Sequence, residues 1–162
     1  MQTYKAYLKS PLGTIEIVGC SDSILALDFV EEMLPGDDEQ AFCIKECLKQ
    51  LGEYFKGQRQ EFFLNLEPAG TEFQKSVWRH LAKIPYGKTA TYGEVAEAIG
   101  KPGASRAVGS ANGKNPIAII IPCHRIIGSD GSLTGYGGGL WRKRWLIGFE
   151  RGEVLPPTDI RA

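Results

Sequence analysis

From Tyr4 to Phe29 apolar and polar positions alternate. Tyr4, Ala6 and Leu8, then Ile15 and Ile17 with Cys20, then Ile24, Ala26, Leu27 and Phe29 mark three short strands, with Pro11-Leu12-Gly13 and Ser21-Asp22-Ser23 as the turns between them. Such closely spaced strands form a small antiparallel sheet. From Gln40 to Phe55 the period becomes helical, with Phe42, Cys43, Cys47, Leu48, Leu51, Tyr54 and Phe55 along one face and Gly57 as the stop. Glu61 to Leu66 reads as a further strand-like run ending at Pro68.

The second half changes character. Phe73, Val77, Trp78, Leu81 and Ile84 predict a helix over 71–84 that Thr71 can cap and Pro85-Tyr86-Gly87 breaks. Thr91-x-x-Glu94 is a capping-box pattern opening a short helix with Val95, Ala96 and Ile99. The turn Gly100-Lys101-Pro102-Gly103 separates it from a second short helix over 104–112, so the pair has the spacing of a helix-turn-helix. A last helix over 141–150 presents Trp145, Leu146 and Phe149, and the tail contains Pro156-Pro157. The expected fold class is α+β: a small N-terminal α/β lobe (1–68), a mainly helical C-terminal domain with a winged-helix-like helix-turn-helix (71–152), and an extended tail (153–162).

A length of 162 residues suits one domain or one domain and a small lobe, and 43% apolar with 23% charged residues is an ordinary globular composition. The formal charge is zero, but its distribution is uneven. Asp28, Glu31, Glu32, Asp37, Asp38 and Glu39 cluster in the first half, whereas residues 101–125 carry Lys101, Arg106, Lys114 and Arg125 and no acid, so a neutral chain still presents a basic face. The start Met1-Gln2-Thr3-Tyr4 has no basic-then-apolar pattern, and no stretch has the length of a membrane span. With no secretion signal, Cys20, Cys43, Cys47 and Cys123 are expected as reduced thiols, and Cys43 and Cys47, one helical turn apart, as small inward-facing residues rather than metal ligands.

The chemistry concentrates at Pro122-Cys123-His124-Arg125, which ends the apolar run 117–121 and precedes a loop holding Gly128, Gly131, Gly135, Gly137, Gly138 and Gly139. A cysteine where a buried strand-like segment emerges beside basic residues has the setting of a nucleophile; the competing reading is an inert buried thiol. Neighbours on a strand point to opposite faces, so pairing Cys123 with His124 requires a bend. Glu150 in the final helix is a candidate to hold the far nitrogen of His124. The glycine loop lacks a Walker ending, and its backbone suits close approach to a flat ligand against which Tyr136 can pack. Asn115-Pro116 marks a turn whose asparagine can also tie the helix pair to the cysteine segment. Ala104, Ser105, Ala107 and Gly109 make the second short helix small-faced around Arg106, a surface suited to a narrow groove and little sequence preference, or equally to tight packing within the domain.

Phe73-Gln74-x-x-Val77-Trp78, Ile84-Pro85-Tyr86-Gly87, Thr91-Tyr92-Gly93-Glu94-Val95-Ala96, Ser105-Arg106-Ala107-Val108-Gly109, Asn115-Pro116, Ile121-Pro122-Cys123-His124-Arg125-Ile126-Ile127-Gly128 and Gly135-Tyr136-Gly137-Gly138-Gly139-Leu140, continued by Trp145-Leu146 and Glu150, together closely resemble the O6-alkylguanine-DNA alkyltransferases. The match is dense over 71–152; the first seventy residues match in outline. The resemblance implies a suicide reaction on double-stranded DNA: O6-alkylguanine, and O4-alkylthymine with it, is flipped out of the duplex and the alkyl group passes irreversibly to Cys123. It implies that His124, through a water, takes the thiol proton with Glu150 polarising it, that Tyr92 donates to guanine N3, and that Asn115 joins the recognition segment to the site. It further implies that the carbonyls of Cys123 and Ile126 accept from the exocyclic amine, that the N–H of Gly137 meets O6 and that Tyr136 packs on the base. Arg106 would fill the gap in the duplex, with Ala104, Ser105, Ala107 and Gly109 in the minor groove. Some members have serine at the position of Gly137, a difference that bears on bulky alkyl groups, and Trp141 is placed to line the pocket. The resemblance further implies a monomer acting in the cytoplasm on nucleoid DNA (in the nucleus of a eukaryote). No cofactor and no metal are expected, since the first seventy residues contain no histidine. The alternatives are a non-catalytic lesion-binding or regulatory DNA-binding protein, and a cysteine hydrolase built on Cys123 and His124. Stoichiometry separates transfer from hydrolysis, and covalent change at Cys123 separates transfer from binding.

Overall fold

The computed structural model describes residues 2–37 and 41–154, so Asp38, Glu39 and the tail from residue 155 lie outside the described residues. These residues fall into two compact units, the first reaching Pro68 and the second starting at Ala69.

In the first unit β1 (Tyr4–Ser10), β2 (Gly13–Gly19) and β3 (Ile24–Val30) form an antiparallel sheet in the order β1-β2-β3. The register pairs Leu8 with Ile15 and Ile17 with Leu27, which puts these apolar residues on one face. Gly13 takes φ 104° at the first turn, a conformation that excludes a branched side chain. The helix α1 (Phe42–Phe55) packs on this sheet and turns Ile44, Cys47, Leu51, Tyr54 and Phe55 inward. Cys43 and Cys47 both face inward, and burial pushes the Cys47 thiol up to about 12, so it stays protonated and inert.

The run 61–66 is not a strand. Only Leu66 bridges, to Ile24, while Gln50 brackets the backbone of Phe63, accepting from its N–H at 2.9 Å and donating to its carbonyl at 3.2 Å. A buried side-chain amide here does the work of a neighbouring strand.

The second unit is mainly helical: α2 (Glu72–Leu81), the two-residue β4 (Ala90–Thr91), α3 (Tyr92–Ala98), α4 (Ser105–Gly113), a 3-10 turn (Cys123–Arg125), β5 (Ile126–Ile127) and α5 (Leu140–Glu150). Thr71 and Thr91 each close a full capping box, with Gln74 and Glu94. The helix α2 ends three residues before Ile84, which the sequence pattern had included. Trp78 donates its indole N–H to Ala111 at 2.8 Å and so ties α2 to α4. The parallel pair β4–β5 sets Ala90 beside Ile126 and so fixes the residue after the cysteine turn against the start of α3. Among the described residues no helix is long and apolar enough to cross a membrane.

Candidate active site

In the apolar run 117–121 the four isoleucines are buried, but the run is not a strand. It coils through tight turns, with Ile119 at φ 68°, a conformation costing a β-branched residue of the order of 1–3 kcal/mol. Asn115 organises these turns: its Nδ2 donates to Ile121 O at 2.8 Å and Ile117 O at 3.3 Å, and its Oδ1 accepts from the Ile117 N–H at 3.0 Å. The chain then enters the 3-10 turn at Cys123. That turn takes the place of a strand, so adjacent Cys123 and His124 do not point to opposite faces as strand neighbours do.

His124 is fully buried and its Nε2 lies 2.8 Å from Glu150 Oε2. Arg125 grips the same carboxylate with two bonds, Nε to Oε1 at 2.8 Å and Nη2 to Oε2 at 3.0 Å, while Nη1 donates to Ile84 O at 2.7 Å. Gly87, at φ 78°, brings its N–H to 3.5 Å from Oε1, and a Cβ there would press on the Glu150 carbonyl at 3.2 Å. Burial opposes the charged form of Glu150, but the hydrogen bonds from His124 and Arg125 and the charge of Arg125 outweigh it and hold the carboxyl well below the usual range. Burial dominates at His124, lowering its pKa against the pull of Glu150. The histidine is therefore neutral at neutral pH, and Arg125 is the full positive charge that keeps Glu150 ionised.

A neutral histidine facing a carboxylate carries its proton on Nε2, which leaves the Nδ1 lone pair as the acceptor. Nδ1 is buried with no hydrogen-bond partner among the described residues. This is the arrangement of a general base.

The linkage has a definite sign. A histidine whose pKa is depressed by folding lets the unfolded chain bind the proton more readily, so stability falls as pH drops below about 6.5. Urea midpoints at pH 7.5 and 5.5 are expected to differ, and His124→Gln is expected to shrink the difference. An unchanged difference in the variant would contradict a neutral buried His124.

Two further buried side chains tie down the cysteine turn and the glycine loop after it. Asn112, buried near the end of α4, donates to the Cys123 carbonyl at 3.3 Å. Lys143 on α5 is completely buried and donates to the carbonyls of Thr134 at 2.7 Å and Gly135 at 3.4 Å. Burial pushes Lys143 down to about 8, while its attraction to Cys123 acts the other way. Tyr92, the first residue of α3, has its hydroxyl 2.9 Å from Thr134 Oγ1.

On α4, Ser105, Arg106 and Ala107 are exposed, and Ala104 stands at the N-cap. Gly109 packs against Tyr92: a Cβ there would sit 3.5 Å from the ring. On the glycine loop Tyr136 is half-buried and Gly137 exposed, and Ile126 is buried in β5.

Residues 72–152 match the 6-O-methylguanine DNA methyltransferase, DNA binding domain, and residues 3–68 match the ribonuclease-like domain of the same family. The chain belongs to the 6-O-methylguanine DNA methyltransferase family. It is 49% identical to a methylated-DNA–protein-cysteine methyltransferase of Methanosarcina barkeri over 156 residues, 93% of this chain and 99% of that protein. It is also 49% identical to the protein of that name from Mycolicibacterium paratuberculosis over 146 residues, 88% of each. Among solved structures it resembles the O6-methylguanine methyltransferase of Mycobacterium tuberculosis with a TM-score of 0.85 at 44% identity, covering 98% of this chain and 97% of that one. It also resembles the M. tuberculosis OGT solved in complex with DNA, with a TM-score of 0.84 at 46% identity over 92% of this chain and 93% of that one.

In this methyltransferase-family chain the structure buries Cys123, His124 and Glu150, joins His124 to Glu150, and has Asn115 hold the carbonyl of Ile121 two residues before the cysteine. Tyr92 lies beside Thr134 and Gly109. The sequence places Arg125 on a basic face, whereas the structure buries it against Glu150, where its charge pairs with the carboxylate; the sequence gives no role to Asn112 or Lys143. Arg125 carried a signal, as a basic residue in an otherwise apolar run. Asn112 and Lys143 carried none, because a polar residue in a short helix is ordinarily solvated.

Proposed function

We propose that this protein repairs alkylated double-stranded DNA by direct reversal, moving the alkyl group from O6 of guanine to Sγ of Cys123 in a single irreversible turnover. The observation that carries this reading is the buried His124-Glu150-Arg125 network that directly follows the buried Cys123, with the Nδ1 lone pair of His124 left as the acceptor. The relatives named methylated-DNA–protein-cysteine methyltransferases, and the similar structure solved with DNA, support it.

The chemistry balances on these residues. His124 Nδ1 takes the thiol proton through a water; the thiolate forms the S–C bond as the O6–C bond breaks; the electron pair returns to the purine. Tyr92 donates at N3 and neutralises the charge that develops there. In-line approach of sulfur and alkyl carbon requires the base outside the stack. Arg106, exposed on the small-faced α4, fills the space the base leaves, with Ala104, Ser105, Ala107 and Gly109 against the minor groove. The carbonyls of Cys123 and Ile126, the N–H of Gly137 and the ring of Tyr136 hold the flipped base. The same pocket takes O4-alkylthymine. DNA in the cytoplasm is the expected partner, met by one monomer at a time, with no cofactor and no metal taking part. The division expected from sequence, with residues 1–68 as an N-terminal α/β lobe and 71–152 as the DNA-binding and catalytic domain, belongs to this proposal.

The test is intact-protein mass after mixing with a duplex carrying one O6-methylguanine, followed by peptide mapping. One methyl group on the peptide holding Cys123, saturating at one per protein, is expected. Unchanged mass with retained DNA binding would make the protein a lesion binder, and continued turnover would make it a hydrolase.

A further inference from the structure

A fully buried lysine in the first turn of a helix is unfavourable twice over. Burial penalises its charge, and the positive end of the helix dipole repels it. Lys143 sits in this position on α5, and its ammonium goes to the loop that precedes the helix, at Thr134 O and Gly135 O. The loop's backbone bonds to itself lie towards its two ends, Gly128 N–H to Ser132 O at 2.9 Å and Gly139 N–H to Tyr136 O at 2.9 Å. Its start is closed locally by Asp130, which accepts from Ser132 N at 3.0 Å and Ser132 Oγ at 2.6 Å. Its end is held by Arg142 Nη1 on Gly138 O at 2.7 Å. The stretch between, Thr134 and Gly135, is gripped by Lys143 from one side, while Tyr92 meets Thr134 through its hydroxyl from another.

We propose that Lys143 and Thr134 form a latch that holds the glycine loop and the Tyr92 hydroxyl in one arrangement beside Cys123, making Lys143 a positioning residue for alkyl transfer. The inference rests on the alkyl-transfer reading above. A glycine-rich loop without such a tie samples many conformations, and each one misplaces the backbone N–H of Gly137 relative to the sulfur. Misplacement of about 1 Å costs roughly a hundredfold in rate. Two of the three ammonium N–H donors go to the loop carbonyls, and the charge also lies within reach of Cys123, so a role through the thiol has to be separated from the latch.

Two reactions of the same sulfur separate them. Methyl transfer from an O6-methylguanine duplex needs the loop; alkylation of Cys123 by iodoacetamide needs only the thiolate. Lys143→Met is expected to slow methyl transfer by roughly 10- to 100-fold and to leave the iodoacetamide rate within about threefold. Lys143→Arg, which keeps a long cationic donor, should regain part of the loss. Thr134→Val, at an exposed position, removes only the Oγ1 contact with Tyr92 and should slow methyl transfer several-fold without changing melting temperature. Amide exchange across 132–139 should quicken in Lys143→Met. Parallel loss of both reactions overturns the latch in favour of an effect on the thiol, and undiminished methyl transfer in Lys143→Met overturns it outright. If Lys143→Met does not fold, Thr134→Val decides, and full-rate transfer in that variant rejects the proposal. Wild-type protein that reacts with iodoacetamide but takes no methyl group from DNA would instead remove the alkyl-transfer reading itself.

Discussion

Cys123→Ala is expected to accept no methyl group from O6-methylguanine DNA while binding the duplex as tightly as the unaltered protein at the same salt concentration. The substitution deletes one buried atom and changes no charge among the groups proposed to contact DNA, so the fold and the surface of α4 persist. Stability should change by no more than about 1 kcal/mol, the cost of a small cavity. Cys123→Ser is the sharper control, because it leaves a smaller cavity than alanine and supplies a hydroxyl that does not ionise near neutral pH. Labelled methyl transfer measures the first effect, and fluorescence anisotropy at fixed salt the second. A methyl group found on any other residue of the alanine variant would assign the nucleophile elsewhere.

Glu150→Gln is the second large effect, and it strikes stability and chemistry together. The carboxylate accepts from His124 and twice from Arg125 with almost no exposure, so its removal leaves a buried guanidinium without a counter-charge. Breaking one partner of a buried pair costs about 3–5 kcal/mol. The same change releases the tautomer and orientation of His124, and the loss of a positioned general base is expected to lower methyl transfer by about 10² to 10⁴. Urea unfolding and single-turnover rates read the two separately. The double variant Glu150→Gln, Arg125→Met removes the stranded charge and should recover a good part of the stability with none of the rate. If it recovers neither, the single-variant loss comes from packing rather than from charge.

Much of this was legible in the sequence where the physics is local. Thr71 and Thr91 announced their helices because a capping box needs only a hydroxyl and an amide or carboxylate three residues on. The three strands followed from alternation, and the inward Cys43 and Cys47 from helical period. The reading failed at 61–66 and 117–121, where apolar runs have strand composition. There Gln50 replaces a partner strand, and Asn115 winds the segment into turns. Period and propensity do not register a distant amide that satisfies the backbone in another way.

The site divides along the same line. By itself the sequence determined which atoms are available: a thiol, an imidazole and a carboxylate, a glycine loop, and a small-faced helix with one arginine. Their types and order are chemical facts that need no fold. Only the tertiary structure decided how they act. It brought Glu150 across 26 residues to His124, set Arg125 on the same carboxylate, and buried Lys143 under the loop. The physical reason is desolvation. Whether histidine is neutral, whether carboxylate stays charged and whether lysine faces inward depend on what surrounds each group, and those surroundings come from residues far apart in the chain.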